Sequence, residues 1–122
     1  MSFEGKIALV TGASRGMGAA TAKLLTDQGA RVFTAQRGKA GFEDIAVDMV
    51  DAKGLEDAVA HIQSQAGGLD ILINNAGIMR EGTITEMSLA DWHDQLSENL
   101  TAPFLLSRFA MPLLRKSGGT MA

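Results

Sequence analysis

The chain has 122 residues, of which 46% are apolar and 20% charged, a balance that indicates one globular domain with a packed core. A net charge of −3 without clusters of Lys and Arg argues against nucleic acid as a partner. The lack of cysteine excludes a disulfide framework and a thiolate metal site, and no apolar run approaches the roughly 20 residues that span a bilayer. The first residues lack a secretory pattern, so the expected location is the cytoplasm.

Short apolar runs alternate with helical patterns, which predicts βαβ units around a parallel sheet. The first strand is expected at residues 7–10, followed by a helix that stops at Gly29 and a second strand at residues 31–35. Residues 36–43 are too few and too interrupted by glycine for a full helix. They lead to a brief third strand, expected around residues 45–47.

The second half of the chain continues this alternation. A helix with one apolar face ends at residues 67–68, and a fourth strand follows at residues 71–73. Ser88 and Asp91 have the spacing of a capping box and open a long helical stretch that reaches Arg115. Residues 120–122 then resemble the first step of a fifth strand. The pattern predicts an α/β fold with a doubly wound parallel sheet over residues 1–122.

A glycine-rich segment, Thr11 to Gly18, connects the first strand to its helix. Gly12 can adopt the positive φ of a tight turn, and Gly16 lets a diphosphate approach the backbone. Gly18 allows the helix to pack close to the strand. The free N–H groups and positive dipole end of the helix would face the anion. The alternative is a turn in which the glycines serve geometry alone.

The spacing of these glycines, Thr-Gly-x-x-x-Gly-x-Gly, differs from the common Gly-x-Gly-x-x-Gly and resembles the short-chain dehydrogenase/reductase family. The Asn-Asn-Ala-Gly segment at residues 74–77, which closes the fourth strand, fits the same resemblance, although it could be an ordinary turn. The resemblance implies a Rossmann-like fold that binds a nicotinamide dinucleotide. It places these residues at the cofactor: Gly12, Ser14, Arg15, Gly16, Met17, Gly18, Arg37, Asp48, Asn75, Ala76 and Gly77.

The end of the second strand indicates which dinucleotide binds. An acidic residue there would bond the ribose 2′-OH of NAD, but this chain has Gln36 followed by Arg37. Arg15 in the glycine loop could join Arg37 at a 2′-phosphate, so NADP(H) is preferred and NAD(H) remains possible. The family's aspartate after the third strand, here Asp48, would approach the adenine. A loop or capping role for Asp48 is the alternative.

Asn99 lies in a segment that resembles the family's catalytic asparagine region. Pro103 has no N–H, so it should bend the helix and leave the Asn99 carbonyl without its helical partner. The family uses that carbonyl to hold a water in a proton relay. An ordinary helical asparagine beside an incidental kink is the alternative. His61 and His93 have no partners at metal-ligand spacing, so no metal site is expected.

The family's catalytic Ser, Tyr and Lys lie beyond the fifth strand, and this chain contains no tyrosine. The resemblance therefore implies the NADP(H)-binding part of an oxidoreductase that transfers hydride between nicotinamide and a carbonyl or alcohol carbon of a small molecule, inactive by itself. Two explanations stay open: a truncated reductase, or a short binding or scaffolding module without catalysis. Truncation would leave the fourth strand with an unpaired edge, and the family resemblance implies that the long helix packs in a subunit interface, so a homo-oligomer is expected.

Overall fold

The computed structural model describes residues 2–76 and 86–122 of the chain, and these build a five-stranded parallel sheet in the order β3-β2-β1-β4-β5. The strands are β1 (Ile7–Thr11), β2 (Arg31–Gln36), β3 (Glu43–Ala46), β4 (Ile71–Ile73) and β5 (Thr120–Met121). The chain order reverses at β1, which lies between β2 and β4. In open α/β sheets, ligands bind at the carboxyl ends of the strands beside such a reversal. The predicted doubly wound parallel sheet is confirmed.

Three helices cover the two faces of the sheet: α1 (Gly16–Asp27), α2 (Ala52–Ala66) and α4 (Ala102–Ser117). A further helix, α3 (Leu89–Leu96), precedes α4 and has no buried residue. Successive side chains of β1 point to opposite faces, as the pleat of a strand requires. Ala8 and Val10 join the apolar cluster that contains α1, and Leu9 joins the cluster formed with α2 and α4. This alternation explains why β1 is apolar from Ile7 to Val10, because helices cover both of its faces.

The third strand differs from its prediction around residues 45–47, since it occupies Glu43–Ala46. The prediction missed the beginning of β3 because its first two residues are acidic. Glu43 pairs with Arg31 of β2 at 2.7 Å, and Asp44 accepts a hydrogen bond from Thr34. An edge strand tolerates these charges because its outer side is open to water.

Residues 37–42, which connect β2 to β3, form no helix, as predicted. Ala40 and Phe42 in this connection pack against the apolar cluster on the α1 face. The connection therefore covers part of the sheet with two side chains where a longer crossover would use a helix.

The predicted long helix is divided into α3 and α4 by a π turn at Ser97–Thr101. It begins as expected, because the Ser88 side chain accepts the Asp91 N–H. Within the turn the Ala102 N–H bonds the Ser97 carbonyl five residues back, directly before Pro103. The interruption thus falls where Pro103 was predicted to disturb the helix, but as a widened turn.

The prediction that the fourth strand has an unpaired edge is wrong. β5 pairs with β4 in parallel, Ile71 opposite Thr120 and Leu72 opposite Met121. The Asn74 N–H donates to the Ala122 carbonyl at 2.7 Å, so pairing continues to the last residue. Two residues suffice to make the fifth strand because the turn after α4 delivers them directly to β4.

Candidate functional site

The segment between β1 and α1 forms an open loop at the carboxyl edge of the sheet. Gly12 and Gly16 have φ values of 66° and 64°, which side chains with a Cβ rarely adopt. A Cβ added at Gly16 would meet no heavy atom of the described residues within 4 Å, so this part of the loop faces open space. α1 begins at Gly16 and directs its unpaired first N–H groups toward that space.

Close contacts hold the loop against the turn that follows β4. A Cβ added at Gly18 would lie 2.2 Å from the Gly12 carbonyl oxygen and 2.4 Å from the Asn75 amide nitrogen. A Cβ at Gly12 would lie 2.8 Å from Cα of Ala76. The glycines therefore let two backbone segments meet at distances that a larger residue would prevent.

Thr11 links the same two segments through its hydroxyl, a role the sequence analysis did not assign. Its Oγ1 accepts the N–H of Asn75 at 3.0 Å and that of Ala76 at 2.9 Å. The Asn75 side chain returns a bond to the Gly12 carbonyl at 3.1 Å. The segment after β4 thus holds the glycine loop in place through the buried hydroxyl of Thr11.

A cavity of about 540 Å³ opens beside this loop, and many of the predicted cofactor residues line it. Its described lining consists of Gly12, Ser14, Arg15, Gly16, Gln36, Arg37, Gly38, Val47, Met49, Asn75, Ala76 and Glu98. These residues come from the ends of β1, β2, β3 and β4 and from the π turn. The topology brings them to one edge of the sheet, where an open α/β fold binds its ligands.

Some predicted residues lie outside that lining. Gly18 lies beneath the loop, and Met17 is 78% exposed at the start of α1. Asp48 contacts the site through an ion pair with Arg37. Asn99 is exposed on the π turn, takes part in a polar interaction and follows a residue that lines the cavity. Gly77 lies outside the described residues, so its prediction has no structural counterpart here.

Gln36 lies at the end of β2, where an acidic residue would bond the ribose 2′-OH of NAD. Its side chain is buried, and both the oxygen and the nitrogen of its amide make hydrogen bonds. Its Oε1 accepts the Ala13 N–H at 3.3 Å, and its Nε2 donates to Thr34 and to the Gly38 carbonyl, each at 3.1 Å. Gln36 therefore connects the glycine loop with the start of the β2–β3 connection. The amide satisfies buried polar groups from both segments.

Asp44 completes this network from β3. Burial opposes ionisation of its carboxyl, but hydrogen bonds from the Thr34 hydroxyl and from backbone N–H groups of Gly41, Ala40 and Phe42 outweigh the burial, so its pKa is lowered. A carboxylate that accepts several bonds from one short connection fixes the path of that connection. Asp44 thus shapes the segment that carries Arg37 and Gly38.

Arg37 extends between two carboxylates at the cavity. Its Nη2 lies 2.9 Å from Asp48 Oδ2 and 3.9 Å from Glu98 Oε1. Asp48 also accepts the Val50 N–H at 3.1 Å, which agrees with the alternative loop role for this residue. The guanidinium is 72% exposed, so the pairs that hold it are weak.

Sequence reasoning missed four lining residues: Gly38, Val47, Met49 and Glu98. Val47 and Met49 flank Asp48 directly after β3, so the rule that parallel strands end at one edge could have found them. Glu98 had no such signal, because its place depends on the π turn that brings it toward the sheet. Among the described residues, no group of acidic or histidine side chains could hold a metal ion. In the same part of the chain, no helix is long and apolar enough to cross a membrane.

The site combines a glycine loop at a helix N-terminus, a reversal of strand order and a cavity across the carboxyl edge, which together define an α/β domain with a Rossmann-like fold. Residues 6–121 match the family model described as short chain dehydrogenase. The chain belongs to the short-chain dehydrogenase family of oxidoreductases, as the glycine spacing indicated.

Relatives and solved structures agree with this assignment. The chain is 39% identical to the 3-oxoacyl-[acyl-carrier-protein] reductase FabG of Salmonella typhimurium, over 95% of this chain and 52% of the relative. An aldohexose dehydrogenase of Thermoplasma acidophilum superposes with a TM-score of 0.90 at 32% identity, covering 93% of this chain and 46% of that one. A short-chain dehydrogenase of Streptomyces avermitilis gives 0.89 at 28%, covering 95% and 47%. The chain spans about half the length of these proteins.

Proposed function

We propose that this chain is the NADP(H)-binding part of a short-chain oxidoreductase that transfers hydride between nicotinamide and a carbonyl or alcohol carbon. The observation that carries the proposal is the open cradle at Gly16, where an added Cβ at the beginning of α1 would meet no described atom within 4 Å. The names of two relatives describe a reductase of a 3-oxoacyl group and a dehydrogenase of an aldohexose. Both are interconversions of carbonyl and alcohol carbons.

The residues around the cavity fit such a dinucleotide. The open loop at Ser14, Arg15 and Gly16 presents backbone N–H groups and a guanidinium to a diphosphate. Val47 and Met49 offer apolar surface to an adenine ring. When bound, the cofactor supplies the hydride or accepts it. The chain's own contribution is to bind and orient the dinucleotide, and we propose that Asn99 helps to hold the water of a proton relay.

The preference for NADP(H) follows from the charges at the end of β2. Gln36 has an amide in place of a carboxylate, and that amide makes hydrogen bonds to the protein rather than facing a ribose 2′-OH. Arg15 and Arg37 both line the cavity and could bind a 2′-phosphate. NAD(H) is expected to bind more weakly, because it lacks the group that these guanidiniums recognise.

Turnover by the 122 residues alone is not expected, because the chain contains no tyrosine to act as the family's general acid and base. The alternative function is a binding or scaffolding module that retains the dinucleotide site without catalysis. Both functions predict that the chain binds NADPH without turnover. Turnover in a carbonyl reductase assay with NADPH would contradict both. Sequencing the gene past codon 122 would reveal whether a Ser and a Tyr-x-x-x-Lys segment follow.

Calorimetric titration with NADPH and NADH tests the site, and the chain offers a matched pair of glycine variants. Gly16→Ala and Gly5→Ala both place a Cβ at a positive φ, 64° and 76°, with no described heavy atom within 4 Å. Of these two glycines, Gly16 lines the cavity and Gly5 does not. We expect Gly16→Ala to weaken NADPH binding by about tenfold or more and Gly5→Ala to bind like the parent. Equal affinities in the two variants would refute the cradle.

We also propose that the chain self-associates through α4, although β5 covers the strand edge on which that expectation partly rested. Phe104 near the start of α4 is 61% exposed and lies beside a shallow groove formed with Met111 and Pro112. Light scattering at working concentration should show a dimer or larger species. Phe104→Ser should shift it toward the monomer, and a monodisperse parent monomer would contradict the proposal.

A further inference from the structure

Glu98 is a carboxylate at the cavity wall that nothing in the family resemblance assigned. It lies on the π turn directly before Asn99, and only 13% of its side chain is exposed. Its Oε1 is 3.9 Å from the Arg37 Nη2, and both residues line the cavity. Glu98 and Arg37 therefore connect the π turn with the β2–β3 connection across the opening.

The two carboxylates that face Arg37 differ in their access to water. Asp48 is better exposed and also accepts a backbone N–H from Val50, so it retains partners if Arg37 leaves. Glu98 is largely shielded, and a shielded carboxylate depends more strongly on a nearby cation. Movement of Arg37 toward a ligand anion would therefore disfavour Glu98 more than Asp48.

A ligand phosphate at the end of β2 would compete with Glu98 for the same guanidinium. Arg37 is mostly exposed, so it can reorient at little energetic cost. The gain from pairing Arg37 with a 2′-phosphate is then reduced by the loss at Glu98. A 2′-hydroxyl carries no charge and makes no such demand on Arg37.

We propose that Glu98 is a specificity-determining residue that lowers the preference of this site for a 2′-phosphate by competing for Arg37. The inference rests on the proposed dinucleotide site and deepens it. Glu98 acts on cofactor choice through Arg37, so it is a positioning residue for that guanidinium.

The test compares the dissociation constants of NADP⁺ and NAD⁺, which differ by the 2′-phosphate, for the parent chain and Glu98→Gln. The amide keeps the shape of the side chain and removes its charge. We expect NADP⁺ to bind about twofold more tightly, because the Arg37 pairs are weak, and NAD⁺ to bind as it does to the parent. The matched control is Glu56→Gln, the same change on the exposed surface of α2, which should leave both constants unchanged.

Arg37→Ala separates competition for the guanidinium from direct repulsion of the phosphate. In the Arg37→Ala background, Glu98→Gln should no longer improve NADP⁺ binding. Persistence of the full gain, no gain in the parent background, or an equal change for both cofactors would each overturn the proposal. A parent chain that binds neither cofactor would refute the dinucleotide site itself, whereas binding with an unchanged ratio in Glu98→Gln refutes only the role of Glu98. Far-UV circular dichroism confirms that each variant is folded.

Discussion

The cavity lining and the residues that support it form two halves, which are held in place by different forces. The glycine half, formed by Thr11, Gly12, Gly18, Asn75 and Ala76, is fixed by buried hydrogen bonds and backbone contacts. The arginine half, formed by Arg37, Asp48 and Glu98, is held by ion pairs around an exposed guanidinium. Buried contacts are costly to change and exposed ion pairs are not. Under the proposed function, buried contacts fix the position of the diphosphate site, and surface charges set the preference between the two dinucleotides.

Gly18→Ala should have the largest effect on the glycine half. The new Cβ would lie 2.2 Å from the Gly12 carbonyl oxygen, so the loop or α1 must move. We expect a loss of about 3 kcal/mol in the free energy of unfolding, measured by urea denaturation. Gly68→Ala is the control, because its Cβ would meet no described atom within 4 Å and its φ is not positive. Similar stability of the two variants would show that the loop is not tightly packed.

Thr11→Val should have the next largest effect. Valine keeps the shape of threonine but leaves the N–H groups of Asn75 and Ala76 without their acceptor. We expect a loss of about 2 kcal/mol in unfolding free energy and weaker NADPH binding, because the loop loses its brace. Thr21→Val is the control, since the Thr21 hydroxyl makes an exposed bond within α1. If Thr11→Val is no more destabilising than this control, the brace does not depend on the hydroxyl.

Asp44→Asn tests the network behind the arginine half and makes a prediction about pH. The pKa of Asp44 lies below its ordinary value of 3.8, so its carboxylate stabilises the fold above about pH 4, and this contribution disappears as the pH falls through the folded pKa. We expect Asn to lower the unfolding free energy by about 1 kcal/mol at pH 7, a modest figure because the carboxyl is partly exposed.

The difference between parent and Asp44→Asn should shrink as the pH falls below about 4, through the lowered pKa of the folded carboxyl. Urea denaturation at several pH values measures it. Thr34→Val is the companion variant, because it removes the hydroxyl that donates to Asp44 without changing charge. A difference that stays constant with pH would show that the Asp44 charge does not stabilise the connection.

The sequence predicted the glycine half better than the arginine half, and the reason is physical. Gly12, Gly16 and Gly18 report a local backbone requirement, because a turn at positive φ and a close contact between segments both need glycine. Such requirements are visible in the order of residues along one stretch of chain. β1 and β4, which end at the glycine half, were also predictable from one stretch of sequence each, because their apolar runs are continuous.

The arginine half depends on contacts between distant stretches. Glu98 approaches Arg37 from the π turn before Pro103, and no local pattern in the sequence indicates that turn. Gln36 was correctly located but its bonds to Ala13 and Thr34 required the sheet to be assembled. The third strand was predicted around residues 45–47, but the charged residues at its beginning, whose partners lie on β2, were not assigned to it.

Arg37→Ala should have the smallest effect on stability, although it removes the centre of the arginine half. Its pair with Asp48 is exposed, so we expect the unfolding free energy to change by less than about 0.5 kcal/mol. Lys23→Ala, which breaks a similarly exposed pair with Asp27 on α1, is the matched control and should behave alike. Urea denaturation at low and high salt measures both. A loss from Arg37→Ala as large as that from Asp44→Asn would mean that the ion pairs hold the connection, and the two halves of the cavity would then not differ in kind.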